Sequence, residues 1–364
     1  MGAMSGERWF RAPGRVNLIG DHTDYNEGFV LPVAIDLSCV VRSAPNEEGV
    51  VRLRSEDAAG EVKLAADGST SPQDVREVWG RYAAGVVGTL AERGRPPVGV
   101  DAVVTSTIPL GGGLSSSAAF EVALALALSD AAGFELPLLD LAVACQEAEQ
   151  VATGVPCGIM DQLASLAGRH NHALLIDCRS LDVRAIPLPP RLAVLIVHSG
   201  VSRGLVDSEY AARRDACEAI ATLLGLQSLR DATPEQVADE PLARHVVSEN
   251  ARVLAAAEAL EEGDVAALGP LLNESHASLR DDFRVSTPEL DALVEALRDA
   301  GAIGARLTGA GFGGCVVGLA SRDEADRIVE TAAGRYWSQT GRQPRAFVFR
   351  AVDGAGRIPA QVRT

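Results

Sequence analysis

A glycine and serine segment followed by an apolar run is the clearest chemical signal in the chain. Residues 109–121 read P-L-G-G-G-L-S-S-S-A-A-F-E, and apolar residues then continue to Leu128 without proline or glycine. Consecutive glycines allow backbone conformations and close approaches that a Cβ would block, and the apolar run predicts a helix. Because a helix start offers unpaired N–H groups and a positive dipole end, it can bind phosphate. Taken alone, the segment equally fits a flexible turn with a serine cap.

The same segment lacks the lysine that the commonest phosphate sites require. It does not match G-x-x-x-x-G-K-[ST], and Lys63, the only lysine of the chain, has no glycine-rich surroundings. P-loop enzymes and protein kinases both pair a lysine with phosphate, so the sequence fits neither class. The hydroxyls of Ser115, Ser116 and Ser117 can instead cap the helix or contact a metal ion bound to phosphate.

A second segment, residues 11–32, concentrates polar groups between two predicted strands. An apolar run ends near Gly20, and a second one begins after Gly28 and continues to Val41. The loop between them contains Asp21, His22, Thr23, Asp24, Tyr25 and Asn26. An ionised carboxylate accepts from two donors and binds more strongly than a neutral group, so this loop suits the paired hydroxyls of a sugar. Arg15, just upstream, can supply the positive charge that lysine does not.

Composition limits the possible partners. The 364 residues suffice for one large domain or two of ordinary size, and 47% apolar with 23% charged residues indicates a globular protein. A net charge of -16 argues against a nucleic-acid surface. Apolar runs are too short to span a bilayer and residues 1–10 lack a signal-peptide core, so we expect a cytoplasmic protein that needs no membrane. The six cysteines are spread singly, and we expect reduced, packed thiols.

Together, three segments resemble the GHMP small-molecule kinases. Residues 11–32 closely resemble the galactokinase signature, residues 109–119 resemble the second GHMP motif, and L-T-G-A-G-F-G-G-C at residues 307–315 resembles the third. The resemblance implies an α+β GHMP kinase fold, with a ribosomal protein S5-like N-terminal domain, a ferredoxin-like C-terminal domain and the active site between them. It also implies phosphorylation of the anomeric hydroxyl of α-D-galactose by MgATP.

A proline cluster at residues 187–190 is the best candidate for the boundary between the two domains. We therefore expect an N-terminal domain at residues 1–186 that carries the sugar and ATP motifs. The C-terminal domain would occupy residues 187–364. The run at residues 347–350 predicts an edge or final strand, and the last strand can return to the N-terminal half.

The resemblance also implies roles for individual residues. Asp161 matches the carboxylate that contacts the attacking hydroxyl, and the first turn of a predicted short helix favours its ionised form. We expect Arg15 to neutralise charge on the transferred phosphoryl group. The implied sugar site consists of Asp21, His22, Thr23, Asp24, Gly158 and Tyr210. The implied ATP site consists of Trp79, Gly111, Gly112, Gly113, Leu114, Ser115, Ser116 and Ser117, with Mg²⁺ held by Ser117 and Glu149.

Several interpretations stay open at this stage. Trp79 fits an adenine stack and a core position equally well. Asp21 stands where galactokinases usually have glutamate, near the 6-hydroxyl of the sugar, so specificity at that position can differ from the family norm. Alternative functions are another sugar-1-kinase, for N-acetylgalactosamine or arabinose, and a sensor that binds galactose and ATP without turnover. The expected partners are galactose and MgATP, and the expected state is a monomer or weak homodimer.

Overall fold

The computed structural model describes residues 6–109, 112–201 and 206–360, without the side chains of residues 206–208. The strands in these ranges are β1 Arg8–Asn17, β2 Phe29–Val30, β3 Pro32–Asn46, β4 Val50–Ser55, β5 Glu61–Ala65, β6 Gly99–Ser106, β7 His172–Asp177, β8 Val183–Pro187, β9 Leu192–His198, β10 Gly304–Thr308, β11 Cys315–Ser321, β12 Arg345–Phe349 and β13 Gly356–Ile358. The helices are α1 Val78–Glu92, α2 Ser116–Ala132, α3 Leu138–Thr153, α4 Met160–Ala167, α5 Val206–Leu223, α6 Pro241–Glu262, α7 Val265–Asp281, α8 Pro288–Ala300 and α9 Ala325–Thr340.

A six-stranded sheet in the described part of the N-terminal half supports the predicted phosphate loop. Its strand order is β13-β1-β3-β6-β4-β5, and neighbours run antiparallel except for the parallel pair β4 and β6. Helix α2 packs across β1 and β3. Because α2 is apolar around most of its circumference, it is stable only when buried in this way. Helix α2 ends at Gly133, which takes the left-handed conformation with φ 59.

A four-stranded antiparallel sheet organises the described C-terminal half, in the order β10-β11-β9-β12. Strand β9 alternates its side chains between two cores, as the period of two in a strand requires. Leu195 and Val197 pack into the core that also contains residues of α8 and α9. Val194 and Ile196 join the larger core, which continues into the first sheet. The larger core therefore contains residues from both halves of the chain.

The predicted domain boundary at residues 186 and 187 falls within a strand. Strand β8, Val183–Pro187, pairs with β7 in a three-stranded sheet of order β2-β7-β8. Residues 347–349 of the run predicted at residues 347–350 lie in β12, at the edge of the four-stranded sheet, and residue 350 follows the strand. The following strand, β13, returns to the first sheet and pairs with β1. Division into two domains at this position stays a prediction.

The polar loop lies between β1 and β2, as the sequence predicts. After Asn17 the chain makes a 3₁₀ turn at Asp24–Asn26 and then enters β2 at Phe29. Helix α6 packs on β2, so the C-terminal half also covers this loop. None of the helices in the described ranges combines the length and apolar character that crossing a membrane requires.

Candidate active site

A cavity of about 720 Å³ brings most of the predicted site residues together. Its walls include the predicted residues Arg15, Asp21, His22, Asp24, Trp79, Gly113, Ser115, Ser116, Ser117, Glu149, Gly158, Asp161 and Tyr210. These residues come from β1, the polar loop, α1, the start of α2, α3, α4 and α5. Distant segments of the sequence therefore converge on one space large enough for a small-molecule ligand and a nucleotide.

An ion pair between Arg15 and Asp161 forms part of the cavity wall. Arg15 Nε donates to Asp161 Oδ1 at 2.7 Å and Arg15 Nη2 donates to Oδ2 at 2.8 Å. The Ser115 hydroxyl also donates to Oδ2. A carboxylate offers about four acceptor sites, so these bonds leave roughly one site for a ligand hydroxyl. The geometry is bidentate, which fixes the orientation of both side chains.

Arg15 has further N–H groups besides the two that donate to Asp161. Its Nη1 donates to the Gly113 carbonyl at 2.7 Å, and its backbone N–H donates to the Leu114 carbonyl at 3.2 Å. A guanidinium carries five N–H groups, and three of them bond to described residues. Because Arg15 lines the cavity beside the phosphate loop, the other two can reach an anion there.

The start of α2 can accept an anion, because the side chain at its cap position makes no capping bond. Ser115 occupies the cap position with φ 56 but makes no capping bond, and its hydroxyl contacts Asp161 instead. The serine cap considered for this segment is therefore wrong. Ser115, Ser116 and Ser117 all line the cavity together with Gly113. Uncapped N–H groups at a helix start that faces a cavity are a common arrangement for binding phosphate.

The other predicted loop residues shape this segment without lining the cavity. The Gly112 N–H donates to the Pro109 carbonyl at 3.3 Å, and its carbonyl accepts from the Cys315 thiol. The Leu114 side chain is buried in the core. Gly111 lies outside the described residues. Gly113 and the three serines therefore line the cavity, whereas Gly112 and Leu114 support the loop behind it, and contact with a ligand stays a prediction.

Ser117 and Glu149 meet at the edge of the cavity, as expected for a shared metal ion. Ser117 Oγ donates to Glu149 Oε1 at 2.7 Å, and Gln162 Nε2 donates to Glu149 Oε2 at 2.6 Å. Burial, and then the charge of Asp161, raise the pKa of Glu149. A cation would relieve both effects, and Mg²⁺ prefers hard oxygen ligands completed by nucleotide oxygens and water. The residues present therefore fit Mg²⁺, although no cluster of three or more metal-ligating side chains occurs among the described residues.

Behind this pair lies a buried carboxyl group that sequence reasoning did not single out. Glu121 is fully buried on α2 and accepts from the Gln162 amide at 3.2 Å. Burial, followed by the charge of Glu149, raises the pKa of Glu121 well above its ordinary value. Gln162 Nε2 thus donates to both glutamates, one on each side. The sequence signal that could have identified Glu121 is a single acidic residue within the otherwise apolar run of α2.

At the opposite end of the cavity, aromatic rings surround the polar loop. His22 Nδ1 lies 2.9 Å from the Tyr25 hydroxyl, and the rings of Tyr25 and Tyr210 meet edge to face at 5.3 Å. Burial, and then the charge of His245, hold the pKa of His22 well below its ordinary value. Tyr210 and His22 thus form a wall that carries no charge near neutral pH.

Asp24 also lines this end of the cavity. Burial first, then the neighbouring charge of Asp161, raise its pKa to about 7. Gly158 packs directly against it, so that a Cβ at this position would overlap the Asp24 carboxylate. The requirement for glycine at position 158 therefore follows from the close approach of a carboxylate.

Two predicted sugar residues are oriented away from the cavity or largely covered. The Thr23 hydroxyl lies within hydrogen-bonding distance of the Gly20 and Phe29 carbonyls, at 2.8 and 2.7 Å, and it does not line the cavity. We therefore assign Thr23 to the support of the loop. Asp21 reaches the cavity wall, but it accepts from the Gly309 N–H at 3.1 Å and pairs with buried Arg306.

An aromatic region lies beyond the phosphate loop. The Trp79 ring contacts the Phe120 ring edge to face at 6.0 Å, and Trp79 Nε1 donates to the Ala59 carbonyl at 3.2 Å. Trp79 packs partly on the core and also lines the cavity, next to Tyr82. The core interpretation of Trp79 therefore holds in part, because one edge of the ring is packed. The stack with adenine stays a prediction, which the position of Trp79 in the cavity wall allows.

Comparison with known sequences divides the chain into three matched segments. Residues 2–45 match the galactokinase galactose-binding signature. Residues 81–169 match the GHMP kinase N-terminal domain, and residues 256–339 match the GHMP kinase C-terminal domain. The fold and the site therefore define a small-molecule kinase of the GHMP class.

Individual relatives show which family within this class the chain resembles most specifically. A galactokinase from Roseiflexus sp. (strain RS-1) is 46% identical over 368 residues, covering 97% of this chain and 93% of the relative. The crystal structure of Lactococcus lactis galactokinase complexed with galactose is 32% identical, covers 98% of this chain and 97% of its own, and has a TM-score of 0.92. The Methanococcus jannaschii mevalonate kinase, at 20% identity, 96% and 100% coverage and a TM-score of 0.70, shares the fold.

This chain belongs to the galactokinase family. The resemblance found in its sequence, the α+β kinase fold and the phosphotransferase class are thereby confirmed, and a kinase of this family takes ATP as a substrate. The roles of individual site residues stay predictions, supported by the geometry described above.

Proposed function

We propose that this enzyme transfers the γ-phosphoryl group of ATP to the anomeric hydroxyl of α-D-galactose, forming galactose 1-phosphate. The observation that carries the proposal is the position of the Arg15–Asp161 pair between a carboxylate-bearing polar end and an uncapped helix start with an aromatic region beyond it. A sugar at the first end and a triphosphate at the second would place the attacking oxygen and the phosphorus on either side of this pair.

In this arrangement the protein positions two reactants and stabilises charge. The start of α2 binds the triphosphate through Gly113, Ser115 and Ser116, and Trp79 contacts the adenine. Asp161 accepts a hydrogen bond from the attacking hydroxyl through its remaining acceptor site and orients or deprotonates it. Arg15 faces the oxygens of the transferred group, where negative charge is spread in the transition state. Positioning and electrostatics account for most catalysis of phosphoryl transfer.

Ser117 and Glu149 would hold Mg²⁺ in this enzyme, each through one oxygen. When bound, the ion neutralises and orients phosphate oxygens of ATP. Gln162 keeps Glu149 turned towards Ser117, since its amide occupies the other carboxylate oxygen. We further propose that the enzyme works in the cytoplasm, where ATP is available, as a monomer or weak homodimer. Sedimentation of the purified protein tests the oligomeric state.

Release of ADP with a panel of sugars tests the proposed function. The panel contains galactose, N-acetylgalactosamine, arabinose, glucose and 6-deoxygalactose, each with MgATP. We expect the highest kcat/KM for galactose. A higher value for N-acetylgalactosamine or arabinose would identify another sugar-1-kinase, and binding of sugar and ATP without turnover of any of them would identify a sensor.

Galactose affinity is expected to rise with pH between about 6 and 8. The ionised carboxylate of Asp24 accepts stronger hydrogen bonds from sugar hydroxyls than its protonated form does, and its pKa is about 7. Because Asp24 is mostly protonated at pH 6 and mostly ionised at pH 8, we expect the dissociation constant for galactose to be about tenfold higher at pH 6 than at pH 8. His22 does not contribute, because its lowered pKa keeps it neutral over this range. Calorimetric titration with galactose, without nucleotide, measures the effect.

The Asp24→Asn variant is the control for this titration. Asparagine binds galactose more weakly and has no charge to gain or lose, so its affinity should not change between pH 6 and 8. A flat profile for the unaltered enzyme, or an affinity that falls as pH rises, would contradict the assignment of Asp24.

The Gly158→Ala variant is expected to raise the KM for galactose at least about tenfold and to leave the KM for ATP within about twofold. The added methyl overlaps the Asp24 carboxylate and displaces it from the sugar position. Misplacing a buried hydrogen-bonding group strongly weakens recognition of the hydroxyl that it serves. Steady-state kinetics with each substrate varied separately give the two constants.

Gly334→Ala is the matched control, because a Cβ at this helical position meets no atom within 4 Å. Alanine is favoured over glycine inside a helix, so this variant should keep both KM values. Equal KM values for Gly158→Ala and the unaltered enzyme would show that Asp24 has room to move without loss of sugar binding.

A further inference from the structure

Buried Arg306 connects the C-terminal sheet to the sugar loop. Arg306 lies on β10 with none of its surface exposed, and its Nη2 pairs with Asp21 Oδ2. Its Nη1 donates to the Leu18 carbonyl at 3.1 Å and lies 3.4 Å from the Asn17 carbonyl. An arginine is buried at this depth only when its charge is paired. Arg306 therefore holds both the carboxylate of Asp21 and the backbone that leads to it.

A second buried carboxylate fixes the same loop from α6. Glu249 accepts from the Gly20 N–H at 3.0 Å, from Ser275 Oγ at 2.6 Å and from Arg252 Nε at 2.8 Å. Burial alone would raise the pKa of Glu249, but the charges of Arg252, His245 and Arg306 hold it at about 2. Glu249 is therefore ionised at every pH at which the enzyme would work. The sugar loop is thus anchored through its main chain at residue 20.

The main chain of residue 21 is anchored as well. His245 Nε2 lies 3.1 Å from the Asp21 carbonyl, and His245 Nδ1 lies 2.9 Å from Ser278 Oγ. Immediately after this residue the chain turns through His22, which has a left-handed φ of 66. A non-glycine residue keeps that conformation only where its surroundings impose it. These contacts therefore determine the direction in which His22 and Asp24 face the cavity.

The carboxylate of Asp21 is poorly placed to meet a sugar directly. Its side chain is 3% exposed, whereas that of Asp161 is 25% exposed. Both of its oxygens already accept bonds, one from the Gly309 N–H and one from Arg306. Aspartate is also one methylene shorter than the glutamate usual at this position in the family. The Asp21 carboxylate is therefore held in the ion pair and nearly covered, although the residue reaches the cavity wall.

We propose that Asp21 acts as a positioning residue, through its ion pair with Arg306, and does not accept a hydrogen bond from the 6-hydroxyl of the sugar. This inference rests on the proposed function, since it concerns how galactose is recognised. It predicts that the loop presents His22 and Asp24 correctly only while the ion pair is intact. Discrimination between galactose and 6-deoxygalactose then does not depend on Asp21.

The test compares the two sugars in Asp21→Asn. As a positioning residue, Asp21 affects both sugars alike, so kcat/KM should fall for each while their ratio changes less than about threefold. KM for ATP should stay within about twofold. Loss of a direct bond to a charged acceptor would instead cost galactose alone about tenfold or more. A fall of the galactose to 6-deoxygalactose ratio by that amount would overturn the proposal.

Arg306→Lys supplies an independent variant, because a lysine keeps the charge but loses the fork that reaches both Asp21 and the loop carbonyls. It should raise KM for both sugars in the same proportion. Combining it with Asp21→Asn should cost less than the product of the two separate losses, since each variant breaks the same ion pair. If the loss in the double variant equalled the product of the two single losses, Arg306 would not act through Asp21 and the proposal would be contradicted.

Asp101→Asn is the matched control, since it breaks an Arg–Asp contact with Arg52 outside the cavity. It should leave both sugars unaffected. Binding of a fluorescent ATP analogue shows whether each variant is folded. If Asp21→Asn fails this check, calorimetry on Arg306→Lys decides: a ratio of galactose to 6-deoxygalactose affinity within about threefold of the unaltered enzyme supports the proposal, and a fall of this ratio by about tenfold or more contradicts it. Binding can be measured without turnover, so failure of the proposed function is distinguished from failure of this inference.

Discussion

The Asp161→Asn variant is expected to lower kcat for galactose by about 10²- to 10⁴-fold, the range for loss of a general base. Asparagine keeps the shape of the side chain but removes the charge that orients the attacking hydroxyl. Its amide N–H₂ also faces the donors of Arg15, which are 2.7 and 2.8 Å from the carboxylate oxygens. We therefore expect the affinity for nucleotide to change little while kcat falls. Coupled ADP release and titration with an ATP analogue measure the two quantities.

Asp323→Asn serves as the control, because Asp323 is exposed in the turn before α9 and far from the cavity lining. It should retain full turnover. Undiminished kcat in Asp161→Asn, with the control behaving as expected, would remove Asp161 from the mechanism. The size of the loss does not by itself distinguish a proton acceptor from an orienting charge, because both effects fall within overlapping ranges.

Replacement of Arg15 by methionine should lower kcat by about 10²- to 10³-fold, the usual cost of removing one electrostatic contact to a transition state. Methionine fills part of the space but leaves growing phosphoryl charge without a partner. Arg15→Lys should recover part of this loss, since it restores a charge but not the bidentate contact with Asp161. Single-turnover kinetics with saturating ATP and galactose isolate the chemical step.

An exposed arginine supplies the control for Arg15. Arg298 lies in the last turn of α8 on the surface, and Arg298→Met should not change turnover. The double variant Arg15→Met with Asp161→Asn should lose less than the product of the single losses, because groups that act as one unit are not additive. Fully multiplicative losses would show that the two residues act separately.

Local signals made much of this site predictable. A glycine segment before an apolar run locates the start of α2, because this signal depends on neighbours in sequence. The polar loop before β2 was identifiable for the same reason. Asp161 was identified through the family resemblance, and its place in a predicted first turn indicated only that its ionised form is favoured. Even here one detail required the structure: Ser115 contacts Asp161, 46 residues away, and does not cap its own helix.

What the sequence could not reveal are pairings between distant segments. Arg306 and Asp21 are 285 residues apart, and nothing near either one indicates that they meet. The same holds for Glu249 and Gly20, which are 229 residues apart. The sequence predicted that Asp21 contacts a ligand. It could not predict the contacts of Asp21 with β10 and α6, because these elements meet the polar loop only in the folded chain.

A crystal structure with galactose and a non-hydrolysable ATP analogue tests the central claim most directly. We expect the γ-phosphate to lie within hydrogen-bonding distance of the first N–H groups of α2 and of Arg15. We also expect the anomeric oxygen within about 3 Å of Asp161, on the far side of the phosphorus from its leaving oxygen. Nucleotide bound away from α2, or an anomeric oxygen out of reach of Asp161, would contradict the claim.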